Sequence, residues 1–339
     1  MSSARDRALG ALAGVAVGDA MGMPTQTMTP EEIAAAYGAI TGFRDAAPSQ
    51  PVSAGLKAGT VTDDTEQSLL LARHLLARNG AVDQKAWANE LLAWERDTHA
   101  RGVNDLLGPS TKRAIEALQR GVPASEAGRS GTTNGAAMRI VPVAIATPPE
   151  PVPVLVDAVE ESCRLTHNTG EAISAASAVA AVVSAGIAGK SFEETLPLAL
   201  AAAEEGERRG TPPAAGSVAR AIRRALALAE GKKGEAEARA IGVGIGTSVA
   251  AIESIPMAFA IVRLAGGDPW EAALLSAAIG DDTDTIGAIS CGMAAACKGL
   301  AAIPAAAWQE VVRVNGLDVA PLAEGLLAIR QSRSGGAAQ

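Results

Sequence analysis

Residues 172–189 read AISAASAVAAVVSAGIAG, an uncharged stretch between Glu171 and Lys190. Alanine is the best helix former, and by length such a stretch could cross a membrane. It is nevertheless mostly alanine and carries Ser174, Ser177 and Ser184, so it reads as a buried core helix of a helical protein. The rest of the chain extends the pattern. Of 339 residues about 75 are alanine, 48% are hydrophobic and only 2% aromatic. Strand-rich folds draw on Val, Ile, Thr and aromatic residues instead, so composition predicts an all-α fold. A mean hydropathy of +0.18 with 19% charged residues excludes a disordered chain.

Glycines, prolines and capping residues divide the chain into helices. The first is expected at 4–17, ended by Gly18-Asp19 and the Gly22/Pro24 region. A short one follows at 30–37, with Pro30 suited to a first helical position after Thr29. From Thr62 onward, Leu69, Ala72 and Leu76 share one face, which Leu71 and Leu75 widen. Further helices are expected near 83–97 and at 109–120, 136–145, 154–164, 170–188, 191–206 and 215–230. A segment opening at Gly242 runs to Leu264, and helices at 269–279, 285–300, 304–314 and 321–331 complete the series. No composition shift marks a boundary, so residues 1–331 read as one helical domain and 332–339 as a flexible tail.

The net charge is −8 and the pI about 5.1. With no basic tract and few rings for base stacking, direct nucleic-acid binding is not expected. Cys163, Cys291 and Cys297 match no zinc spacing and sit among small or apolar residues, so they read as buried, inert thiols in a reducing compartment. Arg5 and Arg7 before the apolar run 8–17 resemble the start of a secretory signal, but no convincing A-x-A cleavage site follows. The expected location is the cytoplasm, with no membrane partner.

Two acidic clusters carry the chemistry. Thr62-Asp63-Asp64-Thr65 opens one helix, and Asp281-Asp282-Thr283-Asp284-Thr285 directly precedes another. Either alone is accounted for as a helix cap whose charge suits the dipole. A cap needs one side-chain oxygen, however, and carboxylates this close repel. Carboxylate and hydroxyl oxygens without Cys or a nearby His suit Mg²⁺ or Mn²⁺. If the clusters meet in space, they could hold two ions with one Asp bridging, as in a dinuclear hydrolase.

The remaining motifs are weaker. Gly131-Thr132-Thr133-Asn134-Gly135, before a helix, could present backbone N–H groups to an anion or be an ordinary turn. His167 lies in Leu165-Thr166-His167-Asn168-Thr169 and could bond a phosphate or cap the next helix. Gly242, Gly244 and Gly246 have a G-x-G rhythm without a preceding strand, so close backbone packing is expected there, not a dinucleotide site. His74 and His99 are expected at the surface or at helix ends.

Six pieces occur in order along the chain: G-A-L-A-G-V-A-V-G-D-A-M-G at 10–22, V-T-D-D-T-E at 61–66, T-N-G-A-A-M-R at 133–139, L-T-H at 165–167, E-S-I-P at 253–256 and D-T-D-T-I-G at 282–287. With them the chain resembles the ADP-ribosylglycohydrolases, which include the dinitrogenase reductase-activating glycohydrolases. The resemblance implies an all-α single orthogonal bundle with two Mg²⁺ or Mn²⁺ ions in a central cleft. It implies hydrolysis at C1″ of ADP-ribose attached to a protein side chain or small acceptor. Thr62, Asp63 and Asp64 would ligate one ion, Asp282 and Thr285 the other, with Asp284 bridging. Asp63 or Asp64 would accept the proton of the attacking water. Thr133, Asn134, Gly135, Ala136 and Met138 would hold the diphosphate or distal ribose, with His167 beside them.

Three features depart from the family pattern. Gln26 stands where members usually carry a glutamate, which in the Ser-specific branch is catalytic or reaches a metal. A glutamine can coordinate or position water but cannot take a proton. Asp281 replaces the second glycine before D-T-D-T, where it could tune an ion, meet a cationic part of the substrate or cap the helix. Residues 130–138 contain no aromatic ring, although relatives stack adenine around this loop. Two alternatives therefore stand beside the leading reading: hydrolysis of a smaller N-ribosyl, nucleoside-like metabolite, and non-catalytic binding of ADP-ribose or a related metabolite.

Overall fold

Helix formation begins at Ser3, whose hydroxyl accepts the Asp6 N–H and caps α1 (Ala4–Gly22). A capping box between Thr29 and Glu32 starts α2 (Pro30–Tyr37), with Pro30 at the expected position. After a long loop come α3 (Asp63–Ala77), α4 (Gln84–Ala100), α5 (Pro109–Gln119) and two single turns, α6 (Ala124–Ala127) and α7 (Gly135–Met138). Next are α8 (Val141–Ala146), α9 (Val152–Cys163), α10 (Gly170–Ile187), α11 (Phe192–Gly206) and α12 (Val218–Ala229). The order closes with α13 (Glu235–Ile245), α14 (Ala251–Leu264), α15 (Pro269–Ser276), α16 (Thr283–Lys298), α17 (Ala305–Asn315) and α18 (Ala320–Gly336). The computed structural model describes residues 2–101, 108–212 and 215–336. Among them the extended pairings are isolated bridges, Thr133 with Ala250 and Thr169 with Thr211.

Every residue of α10 is buried. The one helix among the described residues that is long and apolar enough to span a membrane is thus a core helix, as expected. The pairing that positions the site is α1 on α16. Gly10, Gly14, Gly18 and Gly22 recur every four residues and so share one helix face. A Cβ at Gly14 would stand 2.6 Å from the Cys291 carbonyl oxygen, at Gly18 2.0 Å from that of Gly287, and at Gly22 2.3 Å from that of Thr283. Only hydrogen at these positions lets the two backbones touch. Hence α1 does not end at Gly18-Asp19 as expected: Gly18 is a packing residue inside the helix, and Asp19 is carried on to the start of α16.

Other differences have equally local causes. Residues 136–145 form two helices, not one, with the break before Pro142, which has no N–H to continue a ladder and sits in the first turn of α8. α18 runs five residues past its expected end at 331. Arg330 donates to the carbonyls of Thr147 (2.6 Å) and Ser184 (3.0 Å), and Arg333 to the Thr147 hydroxyl (2.6 Å) and the Gly80 carbonyl (2.7 Å). The expected tail is thereby helical through Gly336, and residues 337–339 lie outside the described residues.

In the Gly242–Gly246 segment only Gly246, at φ +97°, lies hard against a neighbour, the Glu253 carboxylate. Gly244 faces open space and Val243 is 91% exposed. His74 lies in the last turn of α3, a helix end as expected, but is buried there against Trp87, with Nδ1 2.8 Å from Glu90 and Nε2 accepting the Asp83 N–H at 3.1 Å. His99 is exposed. All three cysteines are buried and free, and burial pushes their thiols up.

Candidate active site

Thr62 is the N-cap of α3 and Asp282 that of α16, and the two helix starts meet although 220 residues of chain separate them. The Thr285 and Thr62 hydroxyls each lie 3.4 Å from Asp64 Oδ2. Asp63, Asp64, Asp282 and Asp284 are all buried. Burial, reinforced by the neighbouring carboxylates, pushes Asp63, Asp64 and Asp284 well above the usual carboxylate range and Asp282 up to about 6. The positive ends of two helix dipoles offset part of this repulsion.

Behind the cluster stands Asp19, fully buried on α1. It accepts the Thr62 N–H (2.9 Å) and hydroxyl (2.7 Å), and the Thr65 N–H (3.1 Å) and hydroxyl (2.5 Å). It therefore caps α3 from another helix. These four bonds favour its charged form, yet burial wins and raises its carboxyl to about 6. Because the Thr62 proton goes to Asp19, the lone pairs of that hydroxyl stay free to face an electrophile.

The clusters open on a cleft of about 160 Å³ lined by Gln26, Asp63, Thr133, Asn134, Asp284 and Thr285 among others. Its far wall is the 131–135 loop. That loop pairs with residues 247–251: the Asn134 N–H donates to the Val249 carbonyl (2.9 Å) and the Ala251 N–H to that of Thr132 (3.1 Å). The Asn134 amide donates to Ser254 Oγ (3.0 Å) and Asp282 Oδ2 (2.5 Å), which ties the loop to the acidic cluster. Among the described residues none that lines it is aromatic.

Residues 1–335 match the model of the ADP-ribosylglycohydrolases. The chain belongs to the ADP-ribosylglycohydrolase family. It is 35% identical to the uncharacterized protein YegU of Escherichia coli (strain K12), over 97% of this chain and 98% of that one. It is 37% identical to the ADP-ribosyl-[dinitrogen reductase] glycohydrolase of Rhodospirillum rubrum over 171 residues, 49% of this chain and 53% of the relative. A solved structure titled ADP-ribosylglycohydrolase-related protein complex superposes with a TM-score of 0.67 at 27% identity, covering 98% of this chain and 99% of that one. The all-helical architecture is that of the family, whose members are glycohydrolases acting on ADP-ribosylated substrates.

Of the family-motif residues, Gln26, Asp63, Thr133, Asn134, Gly135, Met138, Asp282, Asp284 and Thr285 line the cleft. Thr62 and Asp64 are buried in the wall beside them, and Ala136 is buried in α7. His167 does not line the cleft. It is fully buried behind Thr133, 3.0 Å from that hydroxyl. Asp281 is exposed at φ +63°, and the cap of α16 is Asp282. The backbone of Asp281 brackets the 26–28 loop, accepting the Thr27 N–H (2.6 Å) and donating to the Met28 carbonyl (2.8 Å). Gln26 has its own carbonyl held by Gln50 Nε2 at 2.7 Å.

Asp19 went unassigned in the sequence, as did Gln67 and Arg139. The signal for Asp19 is a charge inside an otherwise uncharged apolar run, which needs a buried partner. Arg139 closes the T-N-G-A-A-M-R piece and is equally buried. The six metal-motif residues offer hard oxygen donors only, which suit Mg²⁺ or Mn²⁺. Asp64 Oδ1 is buried with no hydrogen-bond partner. Among the described residues, no three Asp, Glu, His or Cys side chains already converge on one point in ligand geometry. That is the arrangement expected of carboxylates that repel one another.

Proposed function

We propose that this chain is a divalent-metal-dependent glycohydrolase that cleaves the bond at C1″ of ADP-ribose attached to a protein side chain or small acceptor. The observation that carries this reading is Asp64 Oδ1, a buried, unpartnered acceptor amid four further carboxylates beside an open cleft. Leaving such an oxygen unpaired costs about 1–3 kcal/mol or more, and a cation would relieve it. Thr62, Asp63 and Asp64 would hold one Mg²⁺ or Mn²⁺, Asp282 and Thr285 a second, and Asp284 both. When bound, the ions would supply charge that fixes ribose hydroxyls and acidifies a water.

The protein's own groups do the rest. Asp63 lines the cleft with Oδ2 steadied by the Gln67 amide at 3.2 Å, so its carboxylate can take the proton of the attacking water. Water oxygen bonds to C1″, the glycosidic bond breaks, and the acceptor leaves with the proton taken from the water, which returns Asp63 to its carboxylate form. Gln26 orients the water or the ribose without exchanging a proton. The 131–135 loop presents hydroxyl and amide groups to the remainder of the substrate. The absence of a ring in the lining and the small cleft favour a second reading, a smaller N-ribosyl, nucleoside-like substrate.

The test is hydrolysis of ADP-ribosyl-arginine, ADP-ribosyl-serine, ADP-ribose-1″-phosphate and free nucleosides, with Mg²⁺, Mn²⁺ or EDTA. Turnover of an ADP-ribosyl compound, abolished by EDTA, is expected. Activity on nucleosides alone would replace the substrate, activity indifferent to EDTA would sink the metal proposal, and binding without turnover would leave a metabolite binder.

A further inference from the structure

A chain of buried polar side chains links the two sides of the cleft. Asp63 Oδ2 accepts from Gln67 Nε2 at 3.2 Å, and Gln67 Oε1 accepts from Arg139 at 2.8 Å. The same guanidinium donates to Thr166 Oγ at 2.5 Å. Thr166 Oγ lies 2.8 Å from His167 Nδ1, and His167 Nε2 lies 3.0 Å from Thr133 Oγ. Gln67, Thr166 and His167 are fully buried and Arg139 is 1% exposed. Among the described residues no carboxylate hydrogen-bonds to Arg139, and burial lowers it only to about 10, so it remains a cation.

We propose that Arg139 is a positioning residue that sets the direction of this chain, making Gln67 a donor to Asp63 and Thr133 a donor into the cleft. Arginine has donors and no acceptor, so each neighbour must accept from it. Gln67 thus turns its carbonyl to Arg139 and its NH₂ to Asp63. Thr166, already accepting from Arg139, has its own proton to place, and His167 Nδ1 is the acceptor within reach. His167 is consequently the Nε2–H tautomer. Its proton goes to Thr133 Oγ, and the Thr133 proton is left to point into the cleft. The opposite tautomer would strand the buried Thr166 proton, at a cost of about a full unmade hydrogen bond. Burial holds His167 well below its usual range, so the ring is neutral and has an accepting nitrogen.

Resting on the function proposed above, the ligand group at Thr133 is an acceptor such as a phosphate or hydroxyl oxygen. His167 then acts through Thr133 without touching the ligand. The chain has three histidines, so ¹⁵N-histidine labelling of the full protein and long-range ¹H–¹⁵N correlation read the tautomer directly, with H167Q for assignment. Wild type should show a single Nε2–H tautomer for His167. Arg139→Lys, also donor-only, should keep it, whereas Arg139→Gln, whose carbonyl can accept the Thr166 proton and leave His167 Nδ1 free to donate, should mix the two tautomers. If the glutamine variant fails to fold, the wild-type tautomer alone decides.

An Nδ1–H ring in wild type, or an unchanged single Nε2–H ring in Arg139→Gln, would overturn the proposal. In calorimetry with ADP-ribose, Thr133→Val should weaken binding roughly tenfold, and unaltered binding would remove the ligand end of the chain. Wild-type protein that binds no ADP-ribose counts against the substrate reading alone, because the tautomer needs no ligand.

Discussion

Asp19 and Asp284 are both buried carboxylates in one cluster, yet opposite consequences follow from removing their charge. Asp19 spends its oxygens on four donors from Thr62 and Thr65. An asparagine there would turn an NH₂ group toward some of those donors. Asp19→Asn should therefore lower the unfolding free energy by about 2–4 kcal/mol, in line with losing bonds to a charged, buried acceptor. Denaturant unfolding in EDTA measures this, and a change under about 0.5 kcal/mol would refute the capping role. Asp284 faces Asp282, Asp19 and Asp63, and the Thr285 N–H that it accepts at 3.0 Å does little to offset them. Asp284→Asn should raise the melting temperature of the EDTA-treated protein, because it removes repulsion, and should abolish hydrolysis together with the stabilisation by Mg²⁺. An inactive variant with normal metal content would argue against a bridging ligand.

At the level of helices, the site depends on how closely α1 approaches α16. Gly18→Ala would put a methyl carbon 2.0 Å from the Gly287 carbonyl oxygen, which is backbone and cannot rotate away. Overpacking of this kind costs about 1–3 kcal/mol or more. It should also shift Asp284 relative to Asp63, so that Mg²⁺ affinity falls along with stability. Gly244→Ala, on α13 with nothing within 4 Å, should be neutral or gain about 0.5–1 kcal/mol. Equal effects of the two substitutions in urea unfolding would mean that the glycine stripe is not what sets the distance. The same pair explains what could be read from sequence. Helix type and most helix positions were legible, because alanine content, caps and prolines act locally. The two acidic clusters were legible too, since each is contiguous. What was not legible is contact across the chain. Gly18 looks like a terminator until Gly287 is known to lie against it, Asp19 looks like a stray charge until α3 is placed over it, and His167 looks like a ligand contact until Thr133 is found in front of it.

For the molecule as a whole, concentrating carboxylates makes stability depend on pH and metal together. Burial pushes Asp19 and Asp282 up to about 6 in the folded protein, from 3.8 for the free side chain, and Asp63, Asp64 and Asp284 are shifted in the same direction. A raised carboxyl means that the folded state binds the proton more tightly than the unfolded one. Its contribution is fully present below the unfolded pKa and is lost as pH rises through the folded value. The carboxylates whose range is lowered, Asp45, Asp83, Glu194 and Glu205, act in the opposite sense but below about pH 4, outside this window. His167, held well below its usual range, opposes the trend inside the window because only the unfolded chain takes up its proton near pH 6.5, but it is one group against five raised carboxylates. EDTA-treated protein should accordingly melt at a higher temperature at pH 5.5 than at pH 7.5. Divalent cations bind the ionised cluster and compete with protons, so Mg²⁺ should raise the melting temperature at pH 7.5 more than at pH 5.5. At a hundredfold excess over Kd a single ion adds about 2.7 kcal/mol, roughly 4 °C in a chain of this size. Thermal scans at the two pH values, with EDTA, Mg²⁺ and Ca²⁺ in parallel, decide the matter. If the stripped protein were instead more stable at pH 7.5 and indifferent to Mg²⁺, the five carboxylates would not be a repelling cluster awaiting cations, and the metal-dependent mechanism would lose its physical basis.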